Sequence, residues 1–386
     1  MKSEKYTRDY WFTIESYVFI GITTKKVLLY NTLDGATLES ENTGVIELLH
    51  EVIEEKNCGV VLLKSERYAQ RDIHLFIQDL REKFMGDIID VALSNGRPIQ
   101  LFPYFNYLNK HEIYKKLNSA MYKNVLENLS EINIYLDITT DLEKLIPFLL
   151  SIPGTIKYNL IGNITDVTNY KELLSFLSQE PSKNLLSCSY TNVRFLPKNL
   201  NDKFSIRILV NLPIDAQQWN NSREILLDQS LSFEYLFDVS SEEDCLQTEI
   251  LIDKFQIDKY RLNPVYTGSN IHFFEKNIFL FKEEILATPM TIKDIFSHQS
   301  MNLFDFGKIN IMPNGDIYAN TNHPLLGNIS KQSIDEIVYK EIEEGKSWFR
   351  IRNQAPCNVC VYQWLCPPPS NYEILIGRYN LCHVCS

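Results

Sequence analysis

The sequence predicts an α/β protein built in three successive parts, and three observations carry that expectation. β-rich runs alternate with amphipathic helical stretches through the middle of the chain, a compact group of strands and helices precedes them, and five of the eight cysteines stand in the last thirty residues. The parts divide at 1–95, 96–298 and 299–386.

Length and composition agree with a multi-part globular chain. At 386 residues it exceeds the size at which a single core keeps growing, and its 45% apolar content is enough for large cores. No stretch approaches the apolar length of a membrane span, and the opening MKSEKYTRDYWF lacks the charged-then-apolar order of a signal peptide. The expected setting is the reducing cytoplasm, where clustered cysteines read as ligands because disulfides do not persist. A net charge of -11 argues against a nucleic-acid partner, which would call for a basic field.

In the first part, Tyr17-Val18-Phe19-Ile20-Gly21-Ile22 and Lys26-Val27-Leu28-Leu29-Tyr30 are β-rich runs separated by a Thr-Thr-Lys turn, and Asn31-Thr32-Leu33-Asp34-Gly35 leads into a third run at Ala36 to Leu38. A three-stranded meander follows from this. Val45, Leu48, Leu49 and Val52 then share one helical face, with Asn42 or Thr43 placed as the cap. After a short strand at Gly59 to Leu63, a second helix buries Ile73, Phe76, Ile77 and Leu80. The combination is winged-helix-like, but the mixed charges of the second helix (Arg71, Asp72, Asp79, Arg81, Glu82, Lys83) argue against DNA readout.

The middle part reads as repeated βα units, hence a parallel sheet covered by helices and either wound open or curled into a barrel. Strands are expected at Ile99 to Phe105, Ile132 to Asp137, Ile156 to Ile161, Phe204 to Val210, Phe233 to Val239 and Tyr260 to Leu262. Helices are expected at Leu142 to Leu150, Lys171 to Leu177 and Glu242 to Phe255. No Gly-rich nucleotide fingerprint, phosphate loop or Gly-x-Ser-x-Gly elbow is present.

The tail carries the strongest chemistry. Cys357 and Cys360 stand two residues apart across a turn, Cys366 follows in CNVCVYQWLC, and Cys382 and Cys385 repeat the spacing. Thiolates are soft ligands, so zinc or an iron-sulfur cluster is the expected occupant. Trp364, Tyr362 and the run Pro367-Pro368-Pro369 are expected to shield the site rather than to form a recognition platform.

Two resemblances bear on function. The stretch VFIGITTKKVLLYNTLDGATLESENTGVIELL is similar to the recognition element that captures the leader of ribosomally made peptides awaiting modification, where the leader adds a strand to an open sheet edge. That likeness implies peptide binding by Ala36, Thr37, Leu38, Glu39 and Ser40 against the helix bearing Ile73, Phe76, Ile77 and Leu80. The segments INIMPNGDIYANTNHPLLGNISKQSIDEI and CNVCVYQWLC with NLCHVC resemble the SPASM domain of radical SAM proteins. More closely, CPPPSNYEILIGRYNLCHV looks like the pseudo-radical-SAM proteins that accompany a true radical SAM maturase in peptide-modifying systems of Bacteroidetes.

The fold so implied is a degenerate radical-SAM-like partial (β/α) barrel with a winged-helix-like recognition module before it and a SPASM-like domain after it. Against that pattern several residues are missing. The chain has no C-x3-C-x2-C triad; after Leu101, where the family carries it, the sequence runs FPYFNYLNKHEIYKKL. Cys188 and Cys245 stand alone and read as core residues. After the second strand the family's Gly-Gly-Glu-Pro run is replaced by Ile138-Thr139-Thr140-Asp141. Of the two auxiliary clusters, the first loses its ligands at Asn320 and Ser370, while the second keeps Cys357, Cys360, Cys366 and Cys382. Cys385 is then a spare and His383 a surface residue, although zinc would alternatively take Cys357, Cys360, Cys382 and Cys385.

The resemblance therefore implies a catalytically inactive accessory protein with no catalytic residues, one closed [4Fe-4S] cluster or zinc ion, and no S-adenosylmethionine. Its partners would be a precursor peptide leader and a true radical SAM maturase, with no nucleic acid and no membrane. Two alternatives stand beside it: an electron-transfer partner using the single cluster, and an enzyme of another class using the barrel mouth.

Overall fold

The computed structural model describes residues 8–102, 125–152, 156–197, 200, 203–228 and 232–384. β1 (Tyr10–Ile14) opens the described chain, and β2 (Val18–Ile22), β3 (Val27–Asn31) and β4 (Thr37–Ser40) form the expected antiparallel meander. Helix α1 (Thr43–Ile53) begins where Asn42 caps it, the Asn42 Oδ1 accepting from the amides of Gly44 at 2.9 Å and Val45 at 3.2 Å. That cap satisfies two of the amides a helix start leaves unpaired. β5 (Val60–Leu63), α2 (Ser65–Tyr68), α3 (Arg71–Glu82) and β6 (Gly86–Asp90) complete the part.

β1 and β6 go beyond the sequence expectation: β1 lies between β5 and β6, antiparallel to both. The Gly-Asp-Ile-Ile-Asp of β6 carries as many aspartates as isoleucines, and it stands at an edge of its sheet, where such composition is tolerated.

β2 and β3 are buried along nearly their whole length, and register explains why. Side chains alternate across a strand, so Phe19, Gly21, Leu28, Tyr30, Thr37 and Glu39 share one face of the meander, while Val18, Ile20, Val27, Leu29 and Leu38 share the other. The second face packs on α1 and α3. The first packs on residues far away in the chain: the Tyr30 hydroxyl accepts from the Met290 amide at 2.8 Å, and a Cβ at Gly21 would collide with the Val361 carbonyl oxygen. Phe19, Leu28 and Tyr30 accordingly belong to one buried cluster with Ile285, Met290, Val361 and Tyr362. Near-continuous apolar runs are what a sheet buried on both faces requires.

The middle of the chain forms six parallel strands in unbroken order: β7 (Glu131–Leu136), β8 (Lys157–Gly162), β9 (Asn184–Ser189), β10 (Phe204–Asn211), β11 (Phe233–Val239) and β12 (Tyr260–Pro264). Because the order never reverses, right-handed crossovers place every helix on one face. Leu145, Phe148, Leu173, Leu177, Trp219, Leu226 and Leu251 fill that face together with Ile132, Ile134, Ile206, Ile208 and Phe237. The other face carries Asn133, Asn159, Arg207, Glu234, Asp238 and Asn263, joined by Arg207–Glu234 at 2.8 Å, Asn159–Asn133 at 2.8 Å and Asn263–Asp238 at 2.7 Å.

One expected strand is corrected. Residues 99–102 are not a strand, with Ile99 and Leu101 exposed, and the remainder of Ile99 to Phe105 lies outside the described residues. The edge of β7 that such a strand would need is taken by β13 (Lys308–Ile311), which pairs with β7 in parallel and leads into a hairpin with β14 (Asp316–Tyr318) and β15 (Gly327–Asn328). Asn310 on β13 accepts from Asn133 at 3.0 Å and donates to the Ala319 carbonyl at 3.0 Å, which locks the hairpin to the sheet. The helix Ile334–Glu344 follows, opened by a capping box between Ser333 and Glu336. Among the described residues, no helix is long and apolar enough to cross a membrane.

Candidate metal centre and peptide-binding edge

Local chain geometry brings four cysteines to one place. Cys357 begins a single 3-10 turn, the Cys360 amide donates to the Cys357 carbonyl at 3.1 Å, and a second turn carries the Cys366 amide to the Tyr362 carbonyl at 2.9 Å. Cys382 arrives from the far end of the tail, where Leu280 donates to the Leu381 carbonyl and His383 to the Leu280 carbonyl, both at 3.0 Å. Cys357, Cys360, Cys366 and Cys382 line one cavity of about 10 Å³, closed by Leu280, Ile285, Leu381 and Val384. That is room for about one water-sized body. Cys385, the fifth cysteine of the tail, lies outside the described residues.

Arg352 also lines this cavity, and the sequence alone gave no sign of it. Its Nη1 stands 3.8 Å from the Cys357 Sγ, its Nε donates to the Pro367 carbonyl at 2.5 Å, and its Nη2 meets the Glu373 carboxylate at 2.9 Å. Both members of this ion pair are buried, at 8% and 5% side-chain exposure. Burial works to lower the guanidinium pKa, but Glu373, Cys366 and Cys357 outweigh it and hold it above its ordinary value. A fixed positive charge thus stands beside the Cys357 thiol.

The donor chemistry suits a closed four-thiolate site. The spacing is not yet that of a site: among the described residues, no three His, Cys, Asp or Glu side chains are placed to hold an ion. The fold gathers the thiols around a common hollow.

The two positions missing from the first cluster pattern are occupied by a hydrogen-bonded network. Asn320, buried, donates to both oxygens of Asp305 at 3.0 and 3.1 Å and to the Asn371 side chain at 2.5 Å. Arg350 reaches Asp305 at 3.3 Å, the Ser370 carbonyl at 3.0 Å and the Pro369 carbonyl at 3.0 Å. Ser370 caps the helix Asn371–Ile376 in a capping box with Glu373. The three prolines have carbonyls but no amides to offer, and Arg350, Arg352 and Asn302 answer them.

The other singled-out residues fall as follows. Tyr362 and Trp364 are buried in the cluster shared with the meander, with Trp364 held by His298 Nδ1 on its carbonyl at 3.1 Å. His383 is exposed, stacked on Phe281 with ring centroids 4.3 Å apart. Cys188 is buried and its thiol is pushed up to about 12, while burial, then Glu242 and Asp244, raise Cys245. Neither is primed for reaction or ligation. A cavity of about 290 Å³ lined by Arg223, Phe233, Tyr235 and Phe255 lies at the amino end of β11, opposite to the carboxyl ends where parallel sheets bind ligands.

The expected peptide edge lies on β4. β4 pairs with β3 on one side and, among the described residues, with no strand on the other. Because Asn31 donates to the Ala36 carbonyl at 2.8 Å, the alternation of an antiparallel ladder turns the amides of Thr37 and Glu39 outward. Ala36, Thr37, Leu38, Glu39 and Ser40 are all half-buried. Ile73, Phe76, Ile77 and Leu80 are buried in the module's core, at 5% exposure or less. An amphipathic stripe seals its own core first, and the large apolar side chains left outside in this part are Leu33, Leu62, Leu75, Phe84, Ile89 and Leu93.

Glu39 joins the two regions. Its carboxylate accepts from Tyr362, meets Lys26 at 2.7 Å and Lys282 at 2.6 Å. Burial works to raise its pKa, but Lys26, Lys282 and Tyr362 prevail and hold it at about 2.

No known family's sequence profile matches the chain, and no curated protein does. Solved structures do. SuiB of Streptococcus suis, crystallised with S-adenosylmethionine, aligns over 97% of this chain and 100% of its own at 11% identity and a TM-score of 0.39. Native anSMEcpe with bound AdoMet and the Cp18Cys peptide aligns over 61% of this chain and 88% of its own at 11% identity and a TM-score of 0.43. At such scores neither likeness carries an argument about chemistry.

Proposed function

We propose that this chain is a non-catalytic accessory of a peptide-modifying radical SAM system, which holds the leader of a precursor peptide on the outer edge of β4 and presents it to a catalytic maturase. The observation that supports this most is the open edge at Thr37–Ser40 packed directly against the cysteine loop through Glu39 and Tyr362. A leader strand added there would take the outward amides of Thr37 and Glu39, and its side chains would alternate between the α3 side and the Lys282 side of the meander. Cys357, Cys360, Cys366 and Cys382 would hold the metal, whose chemistry in a closed four-thiolate site is structural or electron-carrying rather than Lewis-acidic. The absence of a C-x3-C-x2-C triad from the sequence is the ground for reading the chain as inactive.

The test is fluorescence anisotropy of a labelled co-encoded precursor with the full chain, alongside its leader and core halves. Binding that follows the leader half supports the reading. Binding confined to the core half, or to neither, overturns it. Equilibrium dialysis against S-adenosylmethionine, with assay for deoxyadenosine under anaerobic reduction, tests inactivity separately, and turnover would refute that part.

A further inference from the structure

We infer that a second, basic cavity in the C-terminal region binds a carboxylate borne on a small, partly apolar body. The cavity measures about 510 Å³, within the range of small-ligand sites. Its walls carry Lys346, Arg350, Arg352 and Arg378 against the single carboxylate of Glu373. On a chain of net charge -11, such a concentration of positive charge marks a place where an anion gathers.

The four cations are not equally committed. Arg352 is matched by Glu373. Arg350 gives its two terminal nitrogens to Asp305 and to the Ser370 and Pro369 carbonyls, but its Nε is buried without a hydrogen-bond partner. That nitrogen is sealed from solvent, so the cavity sees Arg350 as a fixed, already anchored positive charge. Lys346 forms no ion pair among the described residues, and Arg378 has only a long one, 3.6 Å to Glu275. Phe349, Ile351, Ile374 and Tyr379 supply apolar wall between these charges. An anion with an apolar body would therefore match the charge and the walls together, and guanidinium forks suit the planar carboxylate.

The carboxylate has two sources, an acidic residue within a peptide or a free organic acid. The cavity stands apart from β4, so the peptide-edge reading stands or falls on its own experiment. Isothermal titration of the full chain with a terminally blocked tetrapeptide containing Glu, its Gln counterpart, glutarate and inorganic phosphate separates them. The Glu peptide is expected to bind about tenfold more tightly than the Gln peptide, as loss of a charge-assisted bond implies. Lys346→Ala with Arg378→Ala, both at exposed positions, is expected to weaken it about tenfold again with the circular dichroism spectrum unchanged. Glutarate binding as tightly as the Glu peptide assigns the free acid as the source, and weak glutarate assigns the peptide. Equal binding of Glu and Gln peptides, phosphate binding as tightly as either carboxylate, or no effect of the double variant overturns the inference.

Discussion

The Tyr362 hydroxyl donates to the Glu39 carboxylate at 2.6 Å, joining the cysteine loop to the edge strand across 323 positions of sequence. Glu39 also holds Lys26 and Lys282, so one carboxylate gathers three separate segments.

Tyr362→Phe is expected to destabilise the protein by about 1 kcal/mol, the ordinary worth of one such hydrogen bond. Glu39 predicts a pH effect as well. Its folded pKa of about 2 lies below its ordinary 4.5, so its contribution is present above pH 4.5 and lost as pH falls from there toward 2. After allowance for solvent screening that contribution is roughly 1 kcal/mol. Denaturant titrations at pH 7, 4.5 and 3 should show Glu39→Gln less stable than the parent at pH 7, with the gap narrowing in acid. An unchanged gap would contradict the assignment.

Thr37→Pro removes an amide that β4 turns outward and leaves the ladder to β3 in place. Leader affinity should fall about fivefold to tenfold, as the loss of one net hydrogen bond implies, while thermal stability stays within a few degrees. Equal affinity of parent and variant would show that the peptide does not add to this edge.

Cys360→Ser should lose the bound metal, measured by elemental analysis of anaerobically prepared protein, and should speed proteolysis within 352–384. Iron with sulfide in the parent would identify a cluster, and zinc a single ion. Retention of full metal content by the variant would remove Cys360 from the ligand set.

Glu341 is buried at 1% exposure, and that burial pushes its carboxyl up to about 7 even though it accepts from the amides of Ser347 at 2.9 Å and Trp348 at 2.8 Å. Its folded pKa is raised, so its stabilising effect is complete below pH 4.5 and is lost as pH rises through 7. Glu341→Gln keeps an acceptor for both amides and cannot ionise. It should exceed the parent in stability at pH 8 by roughly 2 kcal/mol, with little difference at pH 5. The reverse order in melting curves would refute this.

Local pattern made much of the architecture readable. The meander, the α1 face of Val45, Leu48, Leu49 and Val52, and the helices Leu142–Leu150 and Glu242–Phe255 all stand where periodicity placed them. What could not be read was pairing at long range. Nothing in Lys308–Ile311 announces that it lies beside Glu131–Leu136, and Ile99 to Leu101 looks as strand-like yet is not a strand. The site divides the same way. Spacing within Cys357–Cys366 exposed the thiols, but Arg352 earns its role from Glu373 and the proline carbonyls, a relation set by tertiary placement. Ile73, Phe76, Ile77 and Leu80 show the same limit, because a helical stripe does not reveal whether it meets a ligand or its own core.

The two-sided burial of the meander also governs how the chain is made. Phe19, Leu28 and Tyr30 leave the ribosome well before their covering partners Met290 and Val361 are synthesised, Tyr30 and Met290 being 260 positions apart. At roughly 5–20 residues per second, that face waits on the order of tens of seconds without its cover. The nascent chain therefore carries a sticky apolar surface while the intervening residues are made. Yield in a foreign host should depend on chaperone supply, and an excised N-terminal fragment would retain that surface permanently.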